Sequence, residues 1–330
     1  MGKILDTLPE PVPGLAAERM RVGRSEITRV VEWLGPIRTV GELFPATPAQ
    51  VWRDNASWLA PHFWDPVSGA YRAAIQTWVV RAAGMTVLVD TGVGNDRDRP
   101  QIAQFDHLHT DFPDRLRAAG VAPEDVDVVI NTHIHYDHVG WNTHLVDPTP
   151  DGAPRRWVPT FPNATCLIPG ADYEYFHPDN AARMRPARTE DERRRFEGIR
   201  LVFADSVAPI EAAGQLTTWT GAHDLGDVLH LRPAPGHTPG SSVLWLDDGP
   251  GAVFVGDLLH TPVQLLRPQD ACSFDFDAEQ ARASRREVLT TAARTGATVL
   301  PAHFGGHGGT TIAAAATGFA VRDWADLPAR

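Results

Sequence analysis

Val126-Asp127-Val128-Val129-Ile130-Asn131-Thr132-His133-Ile134-His135-Tyr136-Asp137-His138 passes within thirteen residues from an apolar, β-branched run to a loop of imidazoles and carboxylate. The run reads as a short buried strand, and the loop places four side chains able to bind metal where that strand ends. Imidazole nitrogen and carboxylate oxygen suit zinc and neighbouring divalent ions, and the four clustered donors His133, His135, Asp137 and His138 exceed what one tetrahedral ion takes from a single loop. A pair of ions is implied. A polar loop with surface histidines would explain one such residue, but not the cluster.

The pattern recurs down the chain. Val228-Leu229-His230-Leu231 leads to Pro235-Gly236-His237-Thr238, Ala252-Val253-Phe254-Val255 to Gly256-Asp257, and Ala297-Thr298-Val299-Leu300 to Pro301-Ala302-His303. In layered α/β proteins ligands collect beyond one end of the strands, so four strands each delivering a donor at that end would build one site. His133, His135, His138, His237 and His303 with Asp137 and Asp257 make seven ligands. That number suits two ions sharing a carboxylate and a water.

With these segments in view the chain resembles the metallo-β-lactamase superfamily. The His-x-His-x-Asp-His motif, Pro235-Gly236-His237-Thr238-Pro239-Gly240, Gly256-Asp257 and the late His303 occur in that family's order, and Val87-Leu88-Val89-Asp90-Thr91-Gly92 is similar to its early strand and turn. The resemblance implies that His133, His135 and His237 hold one metal, that Asp137, His138 and His303 hold the other, and that Asp257 bridges them. It also implies an α/β (α+β) fold of the four-layer αββα sandwich type, where periodicity alone gives only alternating strands and helices. The retained third histidine and Gly256-Asp257-Leu258-Leu259-His260-Thr261-Pro262-Val263-Gln264 look most like the lactonase and methyl parathion hydrolase branch.

Composition supports an enzyme that builds its core without staples. Hydrophobic residues are 43% of the 330, near the globular norm, which leaves any metal free for catalysis. The ligands span more than half the chain, so the expectation is one domain over 1–330 with an N-terminal arm (about 1–25), an aromatic-rich insertion (about 44–70) and an irregular insertion (about 148–186). Thirty basic against 41 acidic residues give a net charge of −11, which disfavours nucleic acid and anionic membrane as partners. Cys166 and Cys272 lack the spacing of a zinc or redox pair. No secretory leader or membrane-length apolar run is evident, so a cytoplasmic location is expected. Arg193-Arg194-Arg195 follows a Thr189-x-x-Glu192 capping box and reads as a solvated helix face without function.

Locally, a strand is predicted at Ile27 to Glu32, a strand pair over Gln76 to Asp90, a short helix from Asp114 to Ala119 and a long helix from Ala278 to Thr295 capped by Asp277 and Gly296. Phe44, Trp52, Trp58, Phe63 and Trp64 admit two readings: core or dimer packing, or an aromatic lid in which Phe63 and Trp64 meet the substrate. Trp141 and Gln264, each just after a ligand segment, are further candidates for the cleft wall. Asp90 is either an ordinary turn residue or the partner that fixes a ligand imidazole.

The chemistry expected from such a site is hydrolysis. A water between two divalent ions ionises near neutral pH, and the ions polarise the bond under attack. Asp137 would orient the nucleophile, Asp257 would join the ions, and His260, where lactonases of the family often carry tyrosine, would donate a hydrogen bond or a proton to the leaving group. The expected substrate is a small lactone or related carboxylic ester. Alternatives are a phosphotriester and, if only one iron is bound, sulfur dioxygenase chemistry. Zinc is the first choice of metal, with manganese, cobalt or iron also compatible, and a homodimer is expected from the family.

Overall fold

The computed structural model describes residues 18–148, 154–183, 189–325 and 327. Two seven-stranded sheets carry the architecture. The first runs, edge to edge, through Glu18–Val22, Ser25–Thr39, Ala70–Ala82, Met85–Val89, Val128–Ile130, Thr165–Pro169 and Leu216–Trp219; the second through His223–Leu225, Leu229–Pro233, Ser242–Leu246, Ala252–Gly256, Thr298–Pro301, Thr310–Ala314 and Phe319–Trp324.

Side-chain alternation explains why the sheets stack. Val87, Val89, Val128, Ile130 and Leu167 of the first sheet share one buried cluster with Leu229, Leu231, Leu244, Leu246, Phe254 and Leu300 of the second. Their sequence neighbours point the other way, because successive side chains on a strand face opposite sides. Leu88, Val129, Cys166 and Ile168 meet Phe112, Leu116, Phe176 and Val202 of the helices outside the first sheet, while Val243, Val253, Val255 and Val299 meet Val288, Leu289 and Ala292 of the helix outside the second. The result is the helix–sheet–sheet–helix sandwich that the resemblance implied. No helix among the described residues is long and apolar enough to cross a membrane.

Several local expectations are corrected. The strand predicted at Ile27 extends over Ser25–Thr39, interrupted by a bulge between Val31 and Trp33. Part of the supposed arm is sheet, since Glu18–Val22 pairs antiparallel with Ser25–Arg29; residues 1–17 lie outside the described residues. The supposedly irregular 148–186 segment contains Thr165–Pro169, a strand in the parallel run, and the helix Gly170–Phe176. Thr165-Cys166-Leu167-Ile168 is the short apolar run of an internal strand, and the flanking prolines masked it.

The aromatic segment is core. Phe44 packs on Trp52 and Tyr71, Trp64 on Trp52, and Phe63 on Phe304 and Trp324. Trp52, Phe63 and Trp64 are all buried against the outer face of the second sheet. The lid reading of Phe63 and Trp64 therefore fails, because both rings pack in the core.

The long helix Ala278–Thr295 has the predicted ends: the Asp277 carboxylate accepts from the Glu279 and Gln280 amides, and Gly296 closes it at φ +77°. Its buried stripe is Ala281, Arg285, Val288, Leu289 and Ala292, the spacing of one helix face. Asp277→Ala is expected to lower stability by about 1 kcal/mol, measured by urea denaturation. An unchanged midpoint would show that the cap is dispensable.

Candidate metal centre

Every donor leaves from the same end of the sandwich. Met85–Val89 and Val128–Ile130 run parallel, as do Ala252–Gly256 and Thr298–Pro301, so Asp90, the 133–138 loop, Asp257 and His303 emerge side by side. His237 joins them from the turn between Leu229–Pro233 and Ser242–Leu246. Gly236 permits that turn: its φ is +132°, and a Cβ there would lie 2.1 Å from the Ala281 amide of the long helix.

The seven side chains form two groups. His133, His135, His237 and Asp257 offer ligand atoms within 4.8 Å of one another, as do Asp137, His138 and His303. Asp257 stands between the groups. Its Oδ2 is 3.0 Å from His237 Nε2 and 3.7 Å from His133 Nε2, while its Oδ1 is 2.8 Å from His303 Nε2 and 3.2 Å from His138 Nε2. His133 Nε2 and His237 Nε2 each lie 3.0 Å from His135 Nδ1.

Most of the imidazoles are held by the opposite ring nitrogen. His138 Nδ1 is 2.8 Å from Asp90 Oδ2, His303 Nδ1 is 2.9 Å from the Ala74 carbonyl, His237 Nδ1 is 3.1 Å from Asp275 Oδ1, and His133 Nδ1 is 3.1 Å from Thr132 Oγ1. Each thereby presents Nε2 inward, the arrangement seen where a protein orients metal ligands through their outer hydrogen bonds. Asp90 also accepts from the Thr132 amide at 2.8 Å, so this turn residue ties the ligand loop to the strand before it.

The donor set fits cations. His138 Nε2 and Asp257 Oδ1 are buried without a hydrogen-bond partner. Such atoms are costly to bury unless something else satisfies them, and divalent cations do. His133, His135, His237 and Asp257 would hold one, and Asp137, His138, His303 and Asp257 the other.

Carboxylates outside the two groups brace the loops. Buried Asp172, on the helix Gly170–Phe176, accepts from the Ile134 amide at 2.9 Å and from the Gly240 amide and Thr238 hydroxyl at 2.6 and 2.9 Å. One carboxylate thus spans the 133–138 and 237–240 loops, and burial lifts its pKa to about 6 against the opposing pull of those donors. Glu32, in the bulge, accepts from the Val93 and Gly94 amides and from Trp141 Nε1. Arg29 donates to the Phe304 and Gly306 carbonyls and so fixes the chain after His303.

A cavity of about 620 Å³ opens over the centre. His135, Asp137, His237, Asp257, His260 and His303 line it together with Ile37, Ile102, Phe176, Val202 and Phe274. Phe63, Trp64, Trp141 and Gln264 do not. Trp141 stacks on Phe112 and donates to Glu32, and Gln264 accepts from the His260 amide at 2.8 Å, so both act beneath the wall. Sequence reasoning missed Tyr136, which sits inside the motif and faces the cavity, and Arg194, which lines the cavity although its run was read as solvated. It also missed Tyr71, Asp172 and Asp275, for which no local pattern exists.

A family model for the metallo-β-lactamase superfamily matches residues 71–303, more than half of the chain. The chain belongs to the metallo-β-lactamase superfamily. An N-acyl homoserine lactonase, AttM, from Azorhizobium caulinodans is 28% identical over 196 residues, which cover 57% of this chain and 62% of that protein. The chain therefore matches less than two thirds of that relative. Among solved structures, hydrolase AbOPH superposes with a TM-score of 0.74 at 23% identity, covering 95% of this chain and 98% of the other; AidC, a dizinc quorum-quenching lactonase, gives 0.68 at 19%, covering 93% and 97%.

Protons compete with cations for these nitrogens. Burial opposes charge on His237, but Asp257 and Asp275 outweigh it and push the imidazole up to about 9; His138 and His303 are raised by Asp257 in the same way. A raised value means a held proton at neutral pH, which a cation must displace. Cation binding is therefore expected to release protons at neutral pH and to tighten as the pH climbs toward about 9. Calorimetry of zinc binding in buffers of different ionisation enthalpy measures the release; none at neutral pH, with a flat affinity profile, would contradict it.

Proposed function

We propose that this chain is a dinuclear metal-dependent hydrolase that opens a lactone, or cleaves a related carboxylic ester, with zinc as the working metal. The observation that carries the reading is the cavity: one continuous space lined by donors of both ligand groups and by apolar side chains. When bound, two divalent ions supply a hydroxide nucleophile near neutral pH and Lewis-acid polarisation of a carbonyl oxygen. Three imidazoles and a carboxylate in one group, with two imidazoles and a carboxylate in the other, are donor types that suit zinc. The relatives named above as lactonases support the substrate class, and the apolar walls suit an acyl chain such as that of an N-acyl homoserine lactone.

The side chains then have separate tasks. Asp137 lies 3.5 Å from His303 Nε2 and 3.8 Å from His138 Nε2, where it both completes a ligand group and can orient the nucleophile. Asp257 joins the two groups. His260 stands on the cavity side of Asp257, its Nε2 3.3 Å from Asp257 Oδ2 and neither ring nitrogen hydrogen-bonded. Its backbone is fixed from both sides, the amide by Gln264 Oε1 and the carbonyl by Tyr71 Oη at 2.7 Å.

Burial holds the His260 imidazole below its usual pKa, despite the opposing pull of Asp257. The lowered value favours the neutral ring. Its ring offers an N–H to the carbonyl oxygen or leaving alkoxide, so hydrogen-bond donation is the role we assign it.

The test is a hydrolysis screen of the metal-loaded protein over acyl-homoserine lactones, simple lactones, aryl esters, phosphotriesters and β-lactams, ranked by kcat/KM. Lactones or esters are expected first, and a phosphotriester at the top would overturn the substrate class. His260→Ala should lower kcat on the preferred substrate by about 10²–10³-fold with metal content unchanged. Undiminished kcat would remove its role.

A further inference from the structure

Arg285 lies on the inner face of the helix Ala278–Thr295, one of the largest fully buried side chains. A buried guanidinium needs both hydrogen-bond acceptors and a counter-charge. Its acceptors are main-chain carbonyls: Nε donates to Leu258 at 2.6 Å, and Nη1 to Pro268 and Asp270 at 3.1 and 3.2 Å. None of these neutralises it. The counter-charge is Asp275, whose Oδ2 stands 3.6 Å from Nη2 with both side chains fully buried.

Asp275 is committed on its other side. Its Oδ1 faces His237 Nδ1 at 3.1 Å, and its Oδ2, ion-paired with Arg285, accepts a hydrogen bond from the Cys272 amide at 3.0 Å. Leu258, whose carbonyl Arg285 holds, directly follows Asp257. One guanidinium therefore reaches the centre twice, through the carboxylate that orients His237 and through the backbone that carries Asp257. His237 belongs to the His133, His135 and His237 side alone, whereas Asp257 faces both groups, so the route through Asp275 is the one that distinguishes the two positions. Asp90 and the Ala74 carbonyl hold the corresponding nitrogens of the other group, and Arg285 touches neither.

We infer that Arg285 is a positioning residue for the His133/His135/His237 cation, acting through Asp275, and that it sets the affinity of this position and not of its neighbour. The inference rests on the proposal that the two groups bind cations. A contact buried under the helix Ala278–Thr295 then governs one of two adjacent cation positions.

The experiment measures zinc affinity by chelator competition in two parent chains, His303→Ala, which keeps the first group whole, and His237→Ala, which keeps the second. In the His303→Ala parent, Arg285→Met is expected to weaken zinc binding at least about tenfold, and Arg285→Lys, which keeps the charge beside Asp275, to bind more tightly than Arg285→Met. With Asp275→Asn already present, Arg285→Met should change affinity by less than about twofold, the scatter of independent substitutions. In the His237→Ala parent it should likewise have little effect. Equal loss in both parents, or full loss despite Asp275→Asn, would make Arg285 a general prop of the fold and overturn the inference. Should Arg285→Met not fold, Asp275→Asn alone carries the test: unchanged zinc affinity in the His303→Ala parent overturns it. A His303→Ala parent that binds no zinc while the unaltered chain binds two ions also overturns it, whereas an unaltered chain that binds none brings down the metal reading itself.

Discussion

A single buried carboxylate, Asp257, faces four imidazoles of the two ligand groups across distances of 2.8 to 3.7 Å. A charged group in so dry a place is tolerated only when its lone pairs are met, and here one oxygen faces each group. That division makes the centre one site and not two. It also explains the electrostatics: the surrounding imidazoles pull Asp257 well below the usual carboxylate range against the cost of burial, while Asp257 in turn helps lift His138, His237 and His303.

The sandwich serves that carboxylate by bringing strand ends from both sheets to one edge. Val89, Ile130, Gly256 and Pro301 end their strands at that edge, and the loops that follow are braced by groups from distant parts of the chain. Asp172 spans two ligand loops, Glu32 gathers the turn after Asp90 together with Trp141, and Arg29 holds the segment after His303. Ligand geometry in such centres is set by these outer partners as much as by the ligands themselves. The apolar cavity beyond them adds the shape that a metal pair lacks, and substrate choice within a shared fold is decided at that level.

The convergence of the donor side chains was legible because each follows a short apolar run, and strand-end placement is a local pattern. Asp277 and Gly296 were legible for the same reason, since helix ends are written in a few adjacent residues. What failed was contact across long sequence distances. Phe63 and Trp64 allow a wall as well as the more ordinary core reading, and their partners Trp52, Phe304 and Trp324 decide for core. Trp141 and Gln264 follow ligands in sequence yet turn inward to Glu32 and to the His260 amide. Asp172 and Asp275 carry no motif, because their function is to meet donors 38 and more residues away. Thr165–Pro169 was hidden by neighbouring prolines although its apolar run is ordinary for an internal strand.

The central claim is that Asp257 joins two cation positions in one site. Metal content by mass spectrometry, taken on the purified chain and on Asp257→Ala after equal exposure to zinc, tests it directly. The account predicts two zinc ions per unaltered chain and loss of tightly held metal from both positions in the variant, because one side chain faces both groups. One ion or none in the unaltered chain, or a variant that still retains two, would contradict it.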